Sequence, residues 1–350
     1  QVLEGKSIEE YVMGFKTEAT KETYLKKLRQ FLVYHNLEPD QLLDRAKENP
    51  KQVEHMILKY IHERRGQVSG STLRGMKESL KQFLPMNDIE NGINWEKISK
   101  VLPHAKKVGS DRAPTVEELR KILDNCDLRM KLIVQILCSS GIRIGSFDSL
   151  RFRDAEPIEV EGEQFAKLTI YRNEPEQYTA FITPEAYRTL LEYGKRREGV
   201  GEKITSDSPL IRDTWDSKRR VDPAIGTPVT SKSIKNLMLR LLWNIGLRTE
   251  HRRVQEFKTV HGFRKYFETN AKRILRGEDV ERLKGHISNY YKPSDEYLAK
   301  EYVKAIPYLT ISEAVELKGK LEVFVKERNE KIGELERENI ALRKELDGIK

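Results

Sequence analysis

The sequence predicts a mainly α-helical protein with two domains, a small antiparallel sheet in the second domain and a coiled-coil helix at the C-terminus. Three observations support this fold class. The chain has 350 residues, which exceeds what one compact core usually organises. Apolar residues recur at helical spacing through most of the chain, whereas one region reads as strands. A heptad pattern occupies residues 321–350.

Residues 7–102 form the predicted first domain, which is entirely helical. The segment TKETYLKKLRQFLVYHNL, 20–37, places its apolar residues on one helical face with basic residues opposite. A similar face returns in STLRGMKESLKQFL, 71–84, and Pro85 ends that run. The stretch 103–114 is basic, poor in apolar residues and bracketed by prolines, which is typical of an interdomain linker.

The predicted second domain spans residues 115–312. Thr115 begins a capping box, TVEE, in front of the apolar positions of the first helix. The segment FAKLTIYRNEPEQYTAFIT, 165–183, has two β-rich runs around a polar turn, which predicts a hairpin. Thr183 then caps, and Pro184 opens, another helix. This domain is therefore predicted to be α+β, mostly helical with a small antiparallel sheet.

Composition narrows the class of partner. The chain carries 64 Lys+Arg against 55 Asp+Glu, a net charge of +9, which favours a polyanion such as nucleic acid. No apolar run approaches the roughly 20 residues that cross a bilayer, so we expect a cytoplasmic protein with no membrane partner. Cys126 and Cys138 lack a CxxC pairing, which predicts buried free thiols and no metal or redox cofactor.

The residues that could carry chemistry lie in short motifs. SSGIRIGSFDSL places Arg143 after an apolar run that ends at a glycine. HGFRKYF places His261 and Arg264 on one face of a helix, where both can reach one phosphate. Two guanidinium groups suit a phosphorus centre that gains charge in a transition state, and a nearby tyrosine could be the nucleophile. Each motif alone more often marks a solvated surface.

Taken together and in this order, the motifs resemble those of the tyrosine recombinase (phage integrase) family, especially integrases from archaeal viruses and plasmids. The marks are SGIRIG, HGFR, KGH and the closing YYKPSDEYLAKEYVKAIPYLTI, and the likeness spans residues 7–312. The resemblance implies that 7–102 is a core-binding domain that clamps double-stranded DNA and that 115–312 is the catalytic domain. It also implies a site-specific recombinase that cuts and rejoins DNA without metal or ATP.

The resemblance assigns roles to individual residues. The scissile phosphate is held by two arginines and two histidines, which here are Arg143, Arg264, His261 and His286. A tyrosine attacks phosphorus, forms a 3′-phosphotyrosyl link and frees a 5′-hydroxyl. Matching YYKPSDE to the family pattern favours Tyr290 as this nucleophile, whereas counting residues between motifs favours Tyr291.

Three departures from the family pattern leave alternatives open. The loop between His286 and the tyrosine pair is short. The hairpin turn RNEPEQ lacks the family's general-acid lysine, so Lys167 on the strand is the candidate, with a merely solvent-facing lysine as the alternative. Ser146 stands where an acid usually follows the first arginine, which leaves Asp148 as a candidate to orient Arg143. Two other functions remain: a DNA-binding relative that no longer cleaves, and DNA relaxation like that of a type IB topoisomerase.

The segment 313–350 lies outside the resemblance. From Leu321 onward its a and d positions are mostly apolar, and Asn339 occupies an a position, where a polar residue sets the register of parallel two-stranded coils. The g to e′ pairs are all opposite in charge: Lys331 with Glu336, Glu338 with Arg343, and Glu345 with Lys350. We therefore expect a parallel dimer through residues 321–350, which would help to assemble the tetramer that this family forms on paired DNA sites. A single helix folded back on the catalytic domain is the alternative.

Overall fold

A computed structural model of the chain describes residues 3–103, 112–213, 226–249, 258–286 and 290–312, and positions 328, 331, 332, 334, 335 and 337 of the C-terminal segment. The chain divides into two compact units, Gln1–Val108 and Gly109–Lys350. This division falls inside the stretch 103–114 that separates the two predicted domains. None of the described helices is long and apolar enough to span a bilayer.

The first unit is helical throughout its described residues. Its helices are α1 (Lys6–Met13), α2 (Glu18–His35), α3 (Pro39–Glu48), α4 (Pro50–Arg64), α5 (Gly70–Phe83) and α6 (Trp95–Val101). The helices predicted at 20–37 and 71–84 are confirmed as α2 and α5. The side chains of Thr17 and Ser69 cap these two helices by accepting backbone N–H bonds, which satisfies donors that a helix start leaves open. Their apolar faces meet in one core.

The second unit combines helices with one sheet. Its elements are α7 (Val116–Asp124), α8 (Leu128–Ser140), β1 (Ala155–Val160), β2 (Glu163–Ile170), β3 (Tyr178–Ile182), α9 (Pro184–Gly199), α10 (Ser231–Asn244), α11 (His261–Ala271), α12 (Gly277–Leu283) and α13 (Asp295–Leu309). The capping box at Thr115 and the cap at Thr183 are confirmed. The mainly helical fold with a small antiparallel sheet is confirmed as well.

The sheet has the order β1-β2-β3, with both pairs antiparallel. The predicted hairpin is confirmed as β2 and β3. The sequence did not predict β1, because Pro157 in AEPIEV removes a backbone donor and demotes a strand pattern. The structure tolerates Pro157 because β1 is an edge strand, paired with β2 alone.

The two faces of the sheet cover two different cores. Ala166, Leu168 and Ile170 of β2 join the core built on α8 and α9. Phe165, of the opposite parity, joins a second core with Tyr302 of α13. Successive residues of a strand point to opposite faces, so each β2 position is committed to one core. This packing fixes the C-terminal end of α8, the start of β3 and α12 in one region.

Both cysteines are free thiols, as predicted. Cys138 is fully buried, and this burial raises the pKa of its thiol far above its ordinary range. Cys126 is only partly buried, which corrects the expectation that both are enclosed, although burial still raises its pKa to about 12. Among the residues that the structure describes, no group of three or more His, Cys, Asp and Glu side chains could hold a metal ion.

A buried ion cluster ties the end of α9 to the following chain. The Glu202 carboxylate accepts from Arg197 at 2.5 and 3.0 Å and from Arg212 at 2.6 Å. Arg197 also donates to the carbonyl oxygens of Pro209 and Leu210. All three charged side chains are less than one-tenth exposed. A single carboxylate therefore pairs with two guanidinium groups that have been removed from water.

We predict that Glu202→Ala destabilises the second unit by about 3–5 kcal/mol, because it leaves two buried guanidinium groups without their shared counter-charge. Urea unfolding followed by circular dichroism measures the loss. Glu198→Ala is the matched control: Glu198 is exposed on the same helix, so its removal should cost less than about 0.5 kcal/mol. Equal stability of the two variants would contradict this account of the cluster.

Candidate functional site

The site begins where α8 ends. Gly141 caps this helix in the left-handed conformation, with φ of 63°. A Cβ at Gly141 would lie 2.3 Å from the Phe267 ring, so both the backbone angle and the space require glycine. Two residues later the chain is extended at Arg143, whose side chain is exposed. Within the SGIR motif the chain thus leaves the end of a buried helix and reaches an arginine on the surface.

Arg264 lies one helical turn into α11 and is 7% exposed. Its Nη1 donates to the Gly141 carbonyl oxygen, and its Nη2 donates to the Lys284 carbonyl oxygen at 2.9 Å. Burial lowers the pKa of Arg264, and the positive charge of Arg143 lowers it further. The two guanidinium groups are therefore close enough to repel each other, and an anion between them would relieve that repulsion.

The two histidines occupy different places around Arg264. The Nε2 atom of His286 lies 3.3 Å from Arg264 Nη2, and its Nδ1 atom contacts the Glu281 carboxylate. A carboxylate on one ring nitrogen sets the orientation of an imidazole and favours a proton on that nitrogen. His261 is the first residue of α11 and is exposed. Its position one turn before Arg264 puts both side chains on the same helical face.

An ion network supports the segment before His286. Lys284 is 4% exposed, and its Nζ atom contacts Glu268 at 2.7 Å and Glu281 at 3.0 Å. Burial alone would raise the pKa of Glu281, but hydrogen bonds from Lys284 and His286 outweigh it and lower that pKa to about 2. Glu281 therefore stays ionised across the physiological range. It holds the end of α12, and with it the carbonyl that binds Arg264.

The two residues of the tyrosine pair differ in exposure and surroundings. Tyr291 donates to the buried carboxylate of Asp279 at 2.5 Å, and the Arg276 guanidinium lies 5.8 Å from its ring centroid. Burial, followed by the hydrogen bond to Asp279, raises the pKa of Tyr291. The Tyr290 side chain is fully exposed. Residues 287–289, which join the pair to His286, lie outside the described residues.

Lys167 and Asp148, two further candidates from the sequence, have partners other than the arginines and histidines of the site. Lys167 pairs with Glu156 at 3.0 Å and with Asp295 at 3.8 Å, on the sheet face that carries Phe165. The structure thus brings Lys167 together with two carboxylates rather than with Arg264. Asp148 accepts from the backbone N–H of Ser231 at 2.6 Å and from its hydroxyl at 2.9 Å. Both carboxylate oxygens of Asp148 therefore bind Ser231, the first residue of α10.

Several residues of this region escaped the sequence analysis. The sequence motifs do not include Glu281 or Asp279, and they include Lys284 only as the first residue of KGH. Tyr178, at the start of β3, looked like a strand residue, yet it is 4% exposed and its ring packs against Gly285. Only the glycine in KGH signals this contact in advance, since glycine often marks a close approach of the backbone to another group.

We predict that Glu281→Gln destabilises the second unit by about 1 kcal/mol at neutral pH, because Glu268 still pairs with Lys284 and Glu281 is partly exposed. The folded pKa of Glu281, about 2, lies below its ordinary value of 4.5. Its contribution is therefore complete above about pH 4.5 and is lost as the pH falls towards 2. Urea unfolding at several pH values should show the difference between wild type and variant shrinking over this window. The exposed Glu278→Gln is the control, and a pH-independent difference would oppose the prediction.

No family model and no curated protein matches the chain, but solved structures do. The Tn1549 transposon integrase in complex with transposon right-end DNA is similar, with 14% identity, a TM-score of 0.54, and coverage of 85% of this chain and 98% of that one. A lambda integrase dimer bound to a COC′ core site has 15% identity and a TM-score of 0.51, over 82% of this chain and 97% of that one. A lambda integrase tetramer bound to a Holliday junction has 16% identity and a TM-score of 0.50, over 83% of this chain and 79% of that one. The chain therefore has the fold of the tyrosine recombinases.

Proposed function

We propose that the protein is a tyrosine-type site-specific DNA recombinase, an intracellular enzyme that cuts and rejoins double-stranded DNA. The observation that carries this proposal is the placement of Arg264. Its guanidinium is held by two backbone carbonyl oxygens and lies beside His286 and close to the charge of Arg143. No carboxylate is among its hydrogen-bond partners in the described part of the chain. The positive charge of the pair is thus available for a phosphate.

The proposed reaction needs positioning and charge more than covalent chemistry by other residues. Arg143, Arg264, His261 and His286 hold the oxygens of one DNA phosphate and stabilise the charge that builds up on them. The Tyr290 oxygen attacks phosphorus as its phenolic proton departs, the bond from phosphorus to the 5′-oxygen breaks, and that oxygen takes up a proton. The 3′-phosphotyrosyl link keeps the bond energy for attack by another 5′-hydroxyl.

The assignment of Tyr290 as nucleophile is supported by the contrast with its neighbour. Tyr291 is tied to Asp279, and its raised pKa makes the phenolate form harder to reach. Tyr290 is exposed and only four residues beyond His286, whose ring already contacts Arg264. With Tyr291 held on α12 of the same chain, we propose that Tyr290 serves the phosphate site of its own protomer.

The leaving 5′-oxygen needs a proton donor. Lys167 is the proposed general acid, because a lysine gives up a proton far more readily than an arginine. In the structure its ammonium group is held by Glu156 and Asp295. Lys167 can therefore act only if the β2–β3 hairpin releases it when DNA binds. A protein that binds DNA without cleaving it is the outcome expected if no donor reaches the 5′-oxygen.

The first unit supplies a surface suited to the DNA backbone. Lys27 of α2 lies against Gly75 of α5, with its Cε 3.8 Å from the position of a Cβ there. Burial, followed by the charge of Lys26, lowers the pKa of Lys27. Lys26 and Arg74 are exposed. We propose that this face binds DNA phosphates, with the affinity and salt dependence that such contacts confer.

We predict that Tyr290→Phe abolishes the covalent protein–DNA adduct and leaves DNA affinity within about twofold, because only a hydroxyl is lost and the phosphate contacts remain. The probe is a pool of nicked duplexes of randomised sequence, in which a cut strand cannot be resealed. Adducts that resist SDS are counted, and their DNA is sequenced to identify the target site.

Tyr291→Phe is the matched control and should retain the adduct, because its ring remains and only the bond to Asp279 is lost. If Tyr291→Phe is the inactive variant, the nucleophile has been assigned to the wrong tyrosine. If wild-type protein forms no adduct while binding DNA tightly, the protein is a DNA-binding relative that does not cleave.

Self-association is proposed through the C-terminal segment. The described positions of this segment are helical and exposed, and they include Ile332 at 43% and Leu335 at 49%. These are an a and a d position of the predicted heptads, so neither is buried against the rest of its own chain. The remaining heptad positions lie outside the described residues. We propose that a second copy covers this stripe in a parallel dimer and so helps to assemble a tetramer on paired DNA sites.

We predict that deleting residues 317–350 converts a DNA-free dimer into a monomer, because the apolar a and d positions supply most of the association and each exposed ion pair adds only a few tenths of a kcal/mol. Light scattering measures the mass. The double variant Ile332→Asp and Leu335→Asp should behave like the deletion. Glu334→Ala, at an outward c position, should remain dimeric. Full-length protein that is monomeric at tens of micromolar contradicts the dimer.

A further inference from the structure

Tyr178 is wedged into the backbone that holds Arg264. A Cβ placed on Gly285 would lie 2.5–2.7 Å from atoms of the Tyr178 ring, so the ring rests directly on this glycine. Gly285 stands between Lys284, whose carbonyl oxygen accepts from Arg264, and His286, whose Nε2 lies 3.3 Å from Arg264 Nη2. The Tyr178 side chain therefore reaches the centre of the arginine site from the first position of β3.

The hydroxyl of Tyr178 is a buried polar group with no well-aligned hydrogen bond to any described residue. The hydroxyl of Ser146, three residues after Arg143, shares this property. Burial raises the pKa of Tyr178 to about 12, although the charges of Arg264 and Arg143 and an interaction with the Ser146 hydroxyl act against it. The Tyr178 side chain thus interacts with the Arg264 guanidinium on one side and with the Ser146 hydroxyl on the other.

We propose that Tyr178 is a positioning residue for the two arginines: its oxygen accepts an N–H from the arginine pair when phosphate is bound, while its proton is donated to the Ser146 oxygen. This inference rests on the proposed function. Asp148 does not orient Arg143 in this structure, since both of its oxygens are bound to Ser231.

A neutral phenol has a different electrostatic effect from a carboxylate in this place. A carboxylate would orient the guanidinium groups but cancel one positive charge. The phenol orients them by a hydrogen bond and, because its pKa is high, stays uncharged at neutral pH. The full charge of the arginine pair is then directed at the phosphate. The competing explanation is that Tyr178 merely fills the space above Gly285.

Tyr178→Phe separates these explanations because it keeps the ring and removes only the hydroxyl. The substrate is a nicked duplex recovered from wild-type adducts, and the rate of adduct formation is measured with protein in excess. We expect the rate to fall about 10- to 100-fold, the size of effect that misplacement of a catalytic group produces, while duplex affinity stays within about twofold. Tyr171→Phe is the control. Tyr171 is partly exposed, and its ring centroid lies 6.3 Å from that of Tyr178. The rate of the Tyr171→Phe variant should match that of wild type.

A second substrate tests positioning directly. A methylphosphonate at the scissile position lacks one anionic oxygen, so correct placement of the arginines contributes less to its cleavage. The loss caused by Tyr178→Phe should shrink to less than about threefold on this substrate. A defect of the same size on both substrates would show a merely structural role and overturn the proposal. A Tyr178→Phe rate equal to wild type on the phosphate substrate would overturn it as well.

The inference is also testable if wild-type protein forms no adduct, the result that would refute the proposed function itself. Inorganic phosphate is then titrated at constant ionic strength, and the midpoint of thermal unfolding is followed. Phosphate should stabilise wild type and Tyr171→Phe equally, and Tyr178→Phe should need several-fold more phosphate for the same shift. An identical phosphate response in all three proteins would refute the positioning role independently of cleavage.

Discussion

Burial of the Arg264 guanidinium is the constraint on which the rest of the site depends. A guanidinium removed from water must have its N–H donors satisfied, or the fold loses several kcal/mol. Here the acceptors are the carbonyl oxygens of Gly141 and Lys284. One closes α8 and the other follows α12, so a single side chain joins three segments that are far apart in the chain. Because carbonyl oxygens carry only partial charge, they satisfy the donors without neutralising the cation.

Close approach to this guanidinium is possible because of two glycines. Gly141 has φ of 63° and Gly285 has φ of 77°, a region that costs other residues about 1–2 kcal/mol. A side chain at either position would also collide with an aromatic ring, that of Phe267 or that of Tyr178. The glycines of the SGIR and KGH motifs therefore have a steric role that is separate from the charges beside them. They bring the backbone near enough for its carbonyl groups to serve as ligands of an arginine.

The sheet separates groups that the sequence places close together. Lys167 and Tyr178 are on neighbouring strands, but their parity in the β2–β3 register sends them to opposite faces. Tyr178 faces the core of α8 and reaches Gly285, whereas Lys167 faces α13 and meets Asp295. The ammonium group that was expected to protonate the leaving oxygen is therefore held by carboxylates. A strand position alone could not reveal this, because it specifies a face but not the groups across from it.

Local physics determined most of what the sequence by itself predicted. The helices around Leu28 and Leu80 follow from apolar periodicity, and the starts at Thr115 and Thr183 follow from capping groups within three residues. The motif residues, Arg264 among them, were singled out as candidates by the order of several motifs along the chain, since each motif alone more often marks a solvated surface. The limit was reached wherever a side chain depends on a partner distant in the chain.

Tertiary structure alone decided those partnerships. It anchored Tyr291 on Asp279, joined Asp148 to Ser231 and placed the Tyr178 ring on Gly285. It also left Cys126 partly exposed and accepted Pro157 in an edge strand, because burial and strand pairing depend on neighbours from other elements. The physical reason is the same in each case. Periodicity and capping act over one or two helical turns, whereas the energy of a buried hydrogen bond or charge depends on which distant atoms the packed core brings within about 3 Å.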